Sequence, residues 1–381
     1  MRIHVVKSGD SLYSISEKYS VNYQNIAREN GINPEDTLVI GQTIVITGTA
    51  DKPKLGTIKV NGYAYADISD DVLEKTLSFL TFLSLFSYEA REDGEVTPIA
   101  VPAAEDNVIA KAIDAKVKPA LVVTNIGANG NFDSNLAHRI LNNPIAVDNL
   151  IDNLLKAMYT KRYAGLDVDF EYVLPQDREV LNSFLAKCAQ KMHGNGFFIS
   201  CAIPAKEAEN TTNVLTGAYD YAAIGSIVDY VTLMTYDWGY PTGRAMAVAP
   251  IRNVENTIQF ATTQMPPSKI LMGIPNYGYD WPVPASTSSP GRSISNTAAV
   301  ALARKHNQAI SFDEKSQTPF FGYYDESGKR REVWFEDARS VKAKLELGAK
   351  YNLAGFSYWT INRFWPQNWL MLDAMYNVIK G

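Results

Sequence analysis

The chain has 381 residues, 46% of them hydrophobic and 20% charged, which supplies a large core and excludes a disordered chain. Its 36 Lys and Arg against 41 Asp and Glu leave a net charge of −5, with no basic footprint for nucleic acid or an anionic membrane. Four His and two Cys, none in an HExxH or CxxC spacing, argue against a metal or thiol enzyme, so neither metal nor cofactor is expected. Aromatic residues are plentiful instead, with 21 Tyr and six Trp, every Trp at position 238 or later. Aromatic faces of this kind stack on sugar rings. Residues 1–20 hold no apolar run of ~7–15 residues behind a basic start, so no standard secretory signal is expected. No stretch approaches the ~18 continuous apolar residues of a membrane span. Cys188 and Cys201 read as two reduced, buried thiols, with a disulfide between them as the alternative.

The first 47 residues form a small closed pattern. His4-Val5-Val6 is a short strand and Lys7–Asp10 a turn. Asp10 or Ser11 caps a helix whose apolar positions Leu12, Ile15 and Tyr19 recur at helical spacing. Asn22 caps a second helix through Ile26 and Ala27, which stops at Asn30-Gly31. Thr37–Ile40 and Thr43–Ile46 supply the returning strand, and the polar, Gly- and Pro-containing stretch 48–56 reads as a linker.

This β-α-α-β segment resembles a LysM module along its whole length. The resemblance rests on Val6-x-x-Gly9-Asp10-Ser11-Leu12-x-x-Ile15, Tyr19-x-Val21, Ile26-x-x-x-Asn30-x-Ile32 and Gly41-Gln42-x-Ile44-x-Ile46. It implies binding of N-acetylglucosamine-containing glycans, peptidoglycan or chitin, through Gly9, Asp10, Ser11 and Leu12 and the opposed loop Asn30, Gly31, Ile32 and Asn33. The alternative is that these residues serve only as caps and turns. Four basic against five acidic residues in the module give no electrostatic wall attachment.

From residue 57 to 381, eight short apolar runs of buried-strand type recur, many with helical segments between them. They are Ile58–Ala64, Phe79–Phe86, Ala120–Thr124, Gly165–Phe170, Phe197–Ile203, Val228–Thr235, Ile270–Ile274 and Ala354–Tyr358. The pattern predicts an α/β fold, a (β/α)8 TIM barrel. The gap between the seventh and eighth runs is too long for one helix. With Tyr323-Tyr324, the turn Asp325–Gly328 and Val333-Trp334-Phe335, it reads as an α+β insertion over about 278–350 that walls one side of the cleft.

The strongest chemical signal is Leu166-Asp167-Val168-Asp169-Phe170-Glu171. Residues two apart on a strand share a face, so the three acids point into the barrel and the apolar residues toward the outer helices. Carboxylates crowded in a low-dielectric interior raise one another's pKa, as a general acid working near neutrality requires. The last acid, Glu171, falls nearest the C-terminal mouth, where barrel enzymes do their chemistry. A solvated acidic strand or a divalent-metal cage are the weaker readings of the same row.

The row resembles the DxxDxDxE signature of family 18 glycoside hydrolases, the chitinase-like enzymes. Leu233-Met234-Thr235-Tyr236-Asp237 and Gly355-Phe356-Ser357-Tyr358-Trp359 are similar to that family's sixth- and eighth-strand motifs. Ala164 stands where the family often has its first Asp, and Thr124-Asn125-Ile126-Gly127 fits the strand-three motif only in part. The resemblance implies substrate-assisted, retaining hydrolysis. Glu171 would act as acid and base, Asp169 would steady the substrate's 2-acetamido group, and Asp167 would share a proton with Asp169. Tyr236 would donate to the acetamido oxygen, Asp237 would bind the distorted sugar, and Trp359 would form the floor. For Trp238, Trp334, Trp365 and Trp369, core packing is the default.

Gly62-Tyr63-Ala64-Tyr65, the run Leu80–Ser87 and Val333–Ser340 look like the spore-cortex N-acetylglucosaminidases of endospore formers. That likeness implies a peptidoglycan substrate, cortical fragments cleaved at β-1,4 bonds after N-acetylglucosamine during germination, and a spore-associated, otherwise cell-wall-associated, location. A chitinase or endo-β-N-acetylglucosaminidase is the alternative. A non-catalytic glycan-binding protein is the third reading, against which the retention of Glu171 counts.

Overall fold

The computed structural model describes residues 1–48 and 53–381. The expected linker therefore falls partly on residues 49–52, which lie outside the described residues.

In the N-terminal module, strand β1 (Arg2–Val5) pairs antiparallel with β2 (Thr43–Ile46), and helices α1 (Leu12–Tyr19) and α2 (Tyr23–Asn30) pack over them. Ser11 caps α1 in a reciprocal bond with Ser14, and Asn22 caps α2 by accepting from the Gln24 and Asn25 N–H groups. Leu12, Ile15, Ile26, Ile32 and Ile44 form the module's own small core. Thr37–Ile40, expected to extend the returning strand, forms no strand. Its Val39 turns away into an apolar cluster with Ala299, Ile310 and Phe335 of the inserted subdomain.

All eight predicted barrel strands form. In order they are Gly56–Tyr65, Phe82–Ala90, Lys118–Thr124, Gly165–Asp169, Phe198–Pro204, Tyr230–Met234, Ile270–Pro275 and Gly355–Trp359. Each pairs in parallel with the next, and the eighth pairs with the first, so the sheet closes. The fourth strand shows why the sequence alternates. Leu166, Val168 and Phe170 lie in the core between barrel and helices, with Phe170 stacked on Phe184 of the helix Arg178–His193. Asp167 and Asp169 point the other way, inside the barrel, and are both buried.

After the seventh strand the chain leaves the barrel to build a five-stranded antiparallel sheet, Gly278–Pro282 to Arg330–Trp334, crossed by the helix Asn296–Lys305. The expected hairpin is there, Thr318–Tyr324 against Arg330–Trp334. The next helix, Ala338–Lys350, returns to the barrel's outer ring, so the inserted sheet itself ends at Trp334.

The module is docked rather than merely strung. Gln367 donates to the Thr43 carbonyl (2.6 Å) and to Asn30 Oδ1 (3.1 Å), and accepts from the Thr43 hydroxyl (2.9 Å), all buried. Arg304 binds Asp36 and the Thr37 carbonyl, and the Ile310 N–H bonds the Ile40 carbonyl. Gly41 sits at this seam with φ +85°, where a Cβ would overlap the Ile310 carbonyl oxygen. Cys188 and Cys201 are buried and unpaired. No helix among the described residues is long and apolar enough to cross a membrane.

Candidate active site

The C-terminal mouth of the barrel holds a cleft of about 500 Å³, lined by Asp169, Glu171, Tyr236, Asp237, Trp238 and Trp359 among others. The three motifs that are far apart in sequence thus converge on one space. Asp167 lies deepest, with both carboxylate oxygens satisfied: Ser84 Oγ donates to one at 2.8 Å and Ser200 Oγ to the other at 2.9 Å. Tyr63 Oη is buried beside it without a well-aligned bond. Burial raises the Asp167 carboxyl above its usual range, against the lowering pull of these hydroxyls.

Asp169 is the next step up and has no such support. Its Oδ1 is buried and unpartnered. Burial first, then the charges of Glu171 and Asp167, hold its carboxyl well above the ordinary 3.8. Glu171 stands at the mouth, half-buried. Its burial in the cleft, then the charge of Asp237, pushes its carboxyl up to about 7. A group with that value is protonated in a useful fraction of molecules at neutral pH.

Tyr236 faces the cleft, and burial, followed by the charge of Asp169, keeps its hydroxyl protonated as a donor. Asp237 opens to the cleft from a left-handed backbone (φ +63°) and accepts from Tyr277 Oη at 2.6 Å. Tyr172, next to Glu171, is likewise left-handed (φ +54°). Non-glycine residues in this region cost of order 1 kcal/mol or more and concentrate at functional sites. Trp359 is half-buried and packs edge-on against Tyr63 and Phe86 at centroid distances of 5.3 and 5.1 Å, leaving a face for the cleft.

The remaining tryptophans divide. Trp281, Trp365 and Trp369 are core residues, Trp238 lines the cleft, and Trp334 stacks on Phe320. Sequence reasoning missed Ser84, Ser200, Tyr63 and Tyr277. The available signal was a polar residue interrupting an apolar barrel strand, as Ser84 does within Phe82–Ala90.

The module's expected contact residues lie elsewhere, in two loops. Gly9 and Ser11 are exposed, while Leu12 and Ile32 are core. Asp10 accepts from the Lys7 N–H and pairs with His4, so one carboxylate oxygen is engaged; the Lys7 bond is the chief reason its carboxyl lies below the usual range. Asn30 is buried, its carboxamide bonded to the Ile26 and Val45 main chain. Gly31 and Asn33 are exposed, with Gly31 against the Pro366 ring at the barrel seam. Among the described residues no group of three or more His, Cys, Asp or Glu has the geometry to hold a metal ion.

The Glycosyl hydrolases family 18 profile matches residues 53–363, so this closed parallel barrel with an acid row rising to its mouth is that of a glycoside hydrolase. The chain belongs to that family, and the LysM domain profile matches residues 4–47. Among individual proteins it is 36% identical to the cortical fragment-lytic enzyme of Bacillus cereus, over 100% of this chain and 99% of that one. The corresponding Bacillus subtilis enzyme is 34% identical with the same coverage. The crystal structure of the Bacillus cereus spore cortex-lytic enzyme SleL superposes with a TM-score of 0.93 at 33% identity, covering 100% of this chain and 99% of that one. A chitinase from Chromobacterium violaceum superposes with a TM-score of 0.76 at 27% identity, covering 83% and 98%.

Proposed function

We propose that this hydrolase cleaves β-1,4 bonds after N-acetylglucosamine in spore-cortex fragments, with retention and with the substrate's own acetamido group as nucleophile. The substrate class rests on end-to-end similarity to cortical fragment-lytic enzymes, LysM module included. The observation that carries the mechanism is Asp169, a buried carboxylate with an unpartnered oxygen between two other acids. A substrate amide N–H would supply the missing donor.

In the first step Glu171 gives its proton to the glycosidic oxygen as the C1–O bond breaks. The acetamido carbonyl oxygen bonds C1 from the opposite face, and Asp169 accepts from the amide N–H of the resulting oxazolinium. Tyr236 donates to the acetamido oxygen, Asp237 holds the distorted ring and Trp359 supports its apolar face. Asp167, fixed by Ser84 and Ser200, shares a proton with Asp169. Water then attacks C1 as the C1–O bond of the oxazolinium ring breaks and its electron pair returns to the acetamido group. Glu171 takes the water's proton, which restores the enzyme and gives a product with the original anomeric configuration. The docked module, using the exposed parts of its two loops, raises the local concentration of glycan. A spore location follows from the same reading.

Mass spectrometry of products from cortex fragments and from chitooligosaccharides, run side by side, tests the assignment. Fragments ending in N-acetylglucosamine with little action on chitooligosaccharides are expected. Preferential cleavage of chitooligosaccharides would make the chain a chitinase.

A further inference from the structure

The fourth barrel strand ends at Asp169, whose main chain is paired with Thr124 of the third strand. Glu171 lies two residues beyond, and Tyr172 after it turns into the left-handed region. The ladder therefore no longer holds the chain at the residue whose carboxyl must reach the glycosidic oxygen. A side chain takes over there. Asn125, fully buried, accepts from the Glu171 N–H through Oδ1 at 2.8 Å and donates from Nδ2 to the Glu171 carbonyl at 2.9 Å. The same Nδ2 donates to the Asp133 carbonyl at 3.1 Å, and the Asp133 N–H bonds the Asn125 carbonyl. Asp133 is itself fixed as the cap of the helix Ser134–Leu141.

A carboxamide presents one donor and one acceptor in a plane, as a peptide group does, so Asn125 reproduces a ladder rung one position past the sheet. Asp offers no donor and Leu, of similar size, offers neither. We propose that Asn125 is a positioning residue for Glu171: its carboxamide fixes the main chain from which the acid reaches the cleft. This rests on reading Glu171 as the general acid. Tyr219 Oη donates to the Phe170 carbonyl at 2.8 Å and accepts from the Val173 N–H, so it holds the flanking residues, while the N–H and carbonyl of Glu171 itself are held by Asn125. Displacement of a reacting group by about 1 Å costs on the order of 100-fold in rate.

The test uses the full chain on soluble spore-cortex fragments, with Asn125→Ala, Asn125→Asp, Glu171→Gln and the double variant Asn125→Ala/Glu171→Gln. Asn125→Ala is expected to lower kcat about 10- to 100-fold while KM changes less than about threefold, because substrate groups other than Glu171 still bind. Asn125→Asp retains volume and one acceptor and carries the test if the alanine variant does not fold; its kcat is expected to fall as well. In the double variant the Asn125 change should have no further effect on the residual rate, since the group it positions is already disabled. Wild-type kcat in both Asn125 single variants, or a loss that persists in full in the Glu171→Gln background, overturns the positioning role while leaving the acid assignment standing. Full activity of Glu171→Gln overturns the acid assignment and this inference with it.

Discussion

Glu171 is held in a cleft that favours its neutral form, and this has a measurable effect on stability apart from catalysis. Its carboxyl titrates near 7 in the folded chain against an ordinary 4.5. The folded state therefore binds a proton more tightly than the unfolded state, so stability from this group is present below pH 4.5 and is lost as pH rises toward 7. Each pH unit between the two values corresponds to about 1.4 kcal/mol, which bounds the cost of ionised Glu171 at about 3 kcal/mol above pH 7. Solvent in the cleft and proton sharing with Asp169 reduce this to about 1–2 kcal/mol. Glu171→Gln keeps the shape and cannot ionise. Thermal melts of wild type and variant from pH 5 to 8.5 should show curves that nearly coincide at pH 5 and separate as pH rises. The variant should melt higher by about 1–3 °C at pH 8.5. A difference that stays constant across this range, or one in which the variant melts lower at high pH, would refute the reasoning.

The same titration sets a basic limb in the rate. With cortex fragments, kcat/KM is expected to fall as pH rises through about 7, where Glu171 loses the proton it must donate; a limb below pH 5.5 contradicts the assignment. At the module seam, Gln367→Ala removes three buried hydrogen bonds to Thr43 and Asn30. A loss of about 1–3 kcal/mol and faster hydrogen exchange over residues 30–46 are expected, with the barrel strands little changed. Unaltered exchange in that segment would show that the seam does not hold the module.

Much of this protein is written in local pattern. Eight apolar runs gave eight strands, because a strand buried on both faces needs a run of apolar residues whatever surrounds it. The cap Asn22 was legible, and the first cap was narrowed to Asp10 or Ser11, because capping is a bond between residues two or three apart. Asp167, Asp169 and Glu171 recur with a period of two among large apolar residues, which puts them on one face. That the strand ends at Asp169 and leaves Glu171 half-buried at the mouth is a tertiary fact. What supports them was not legible. Ser84, Ser200, Tyr277 and Asn125 belong to other strands and loops, and only closure of the barrel brings them to the acids.

The module shows the same division. The small core of Leu12, Ile15, Ile26 and Ile44 followed from helical and strand spacing within 47 residues. That Val39 belongs to the inserted subdomain, and that Asn30 faces Gln367, did not. Sequence by itself determined the eight barrel strands, the module's two helices, the acid row and the absence of thiol or zinc spacing, since each depends on neighbours along the chain. Tertiary structure alone decided which carboxylate is satisfied, which keeps an empty acceptor and which is raised to about 7. Those properties depend on burial and on the charges and donors that distant segments bring within a few ångströms.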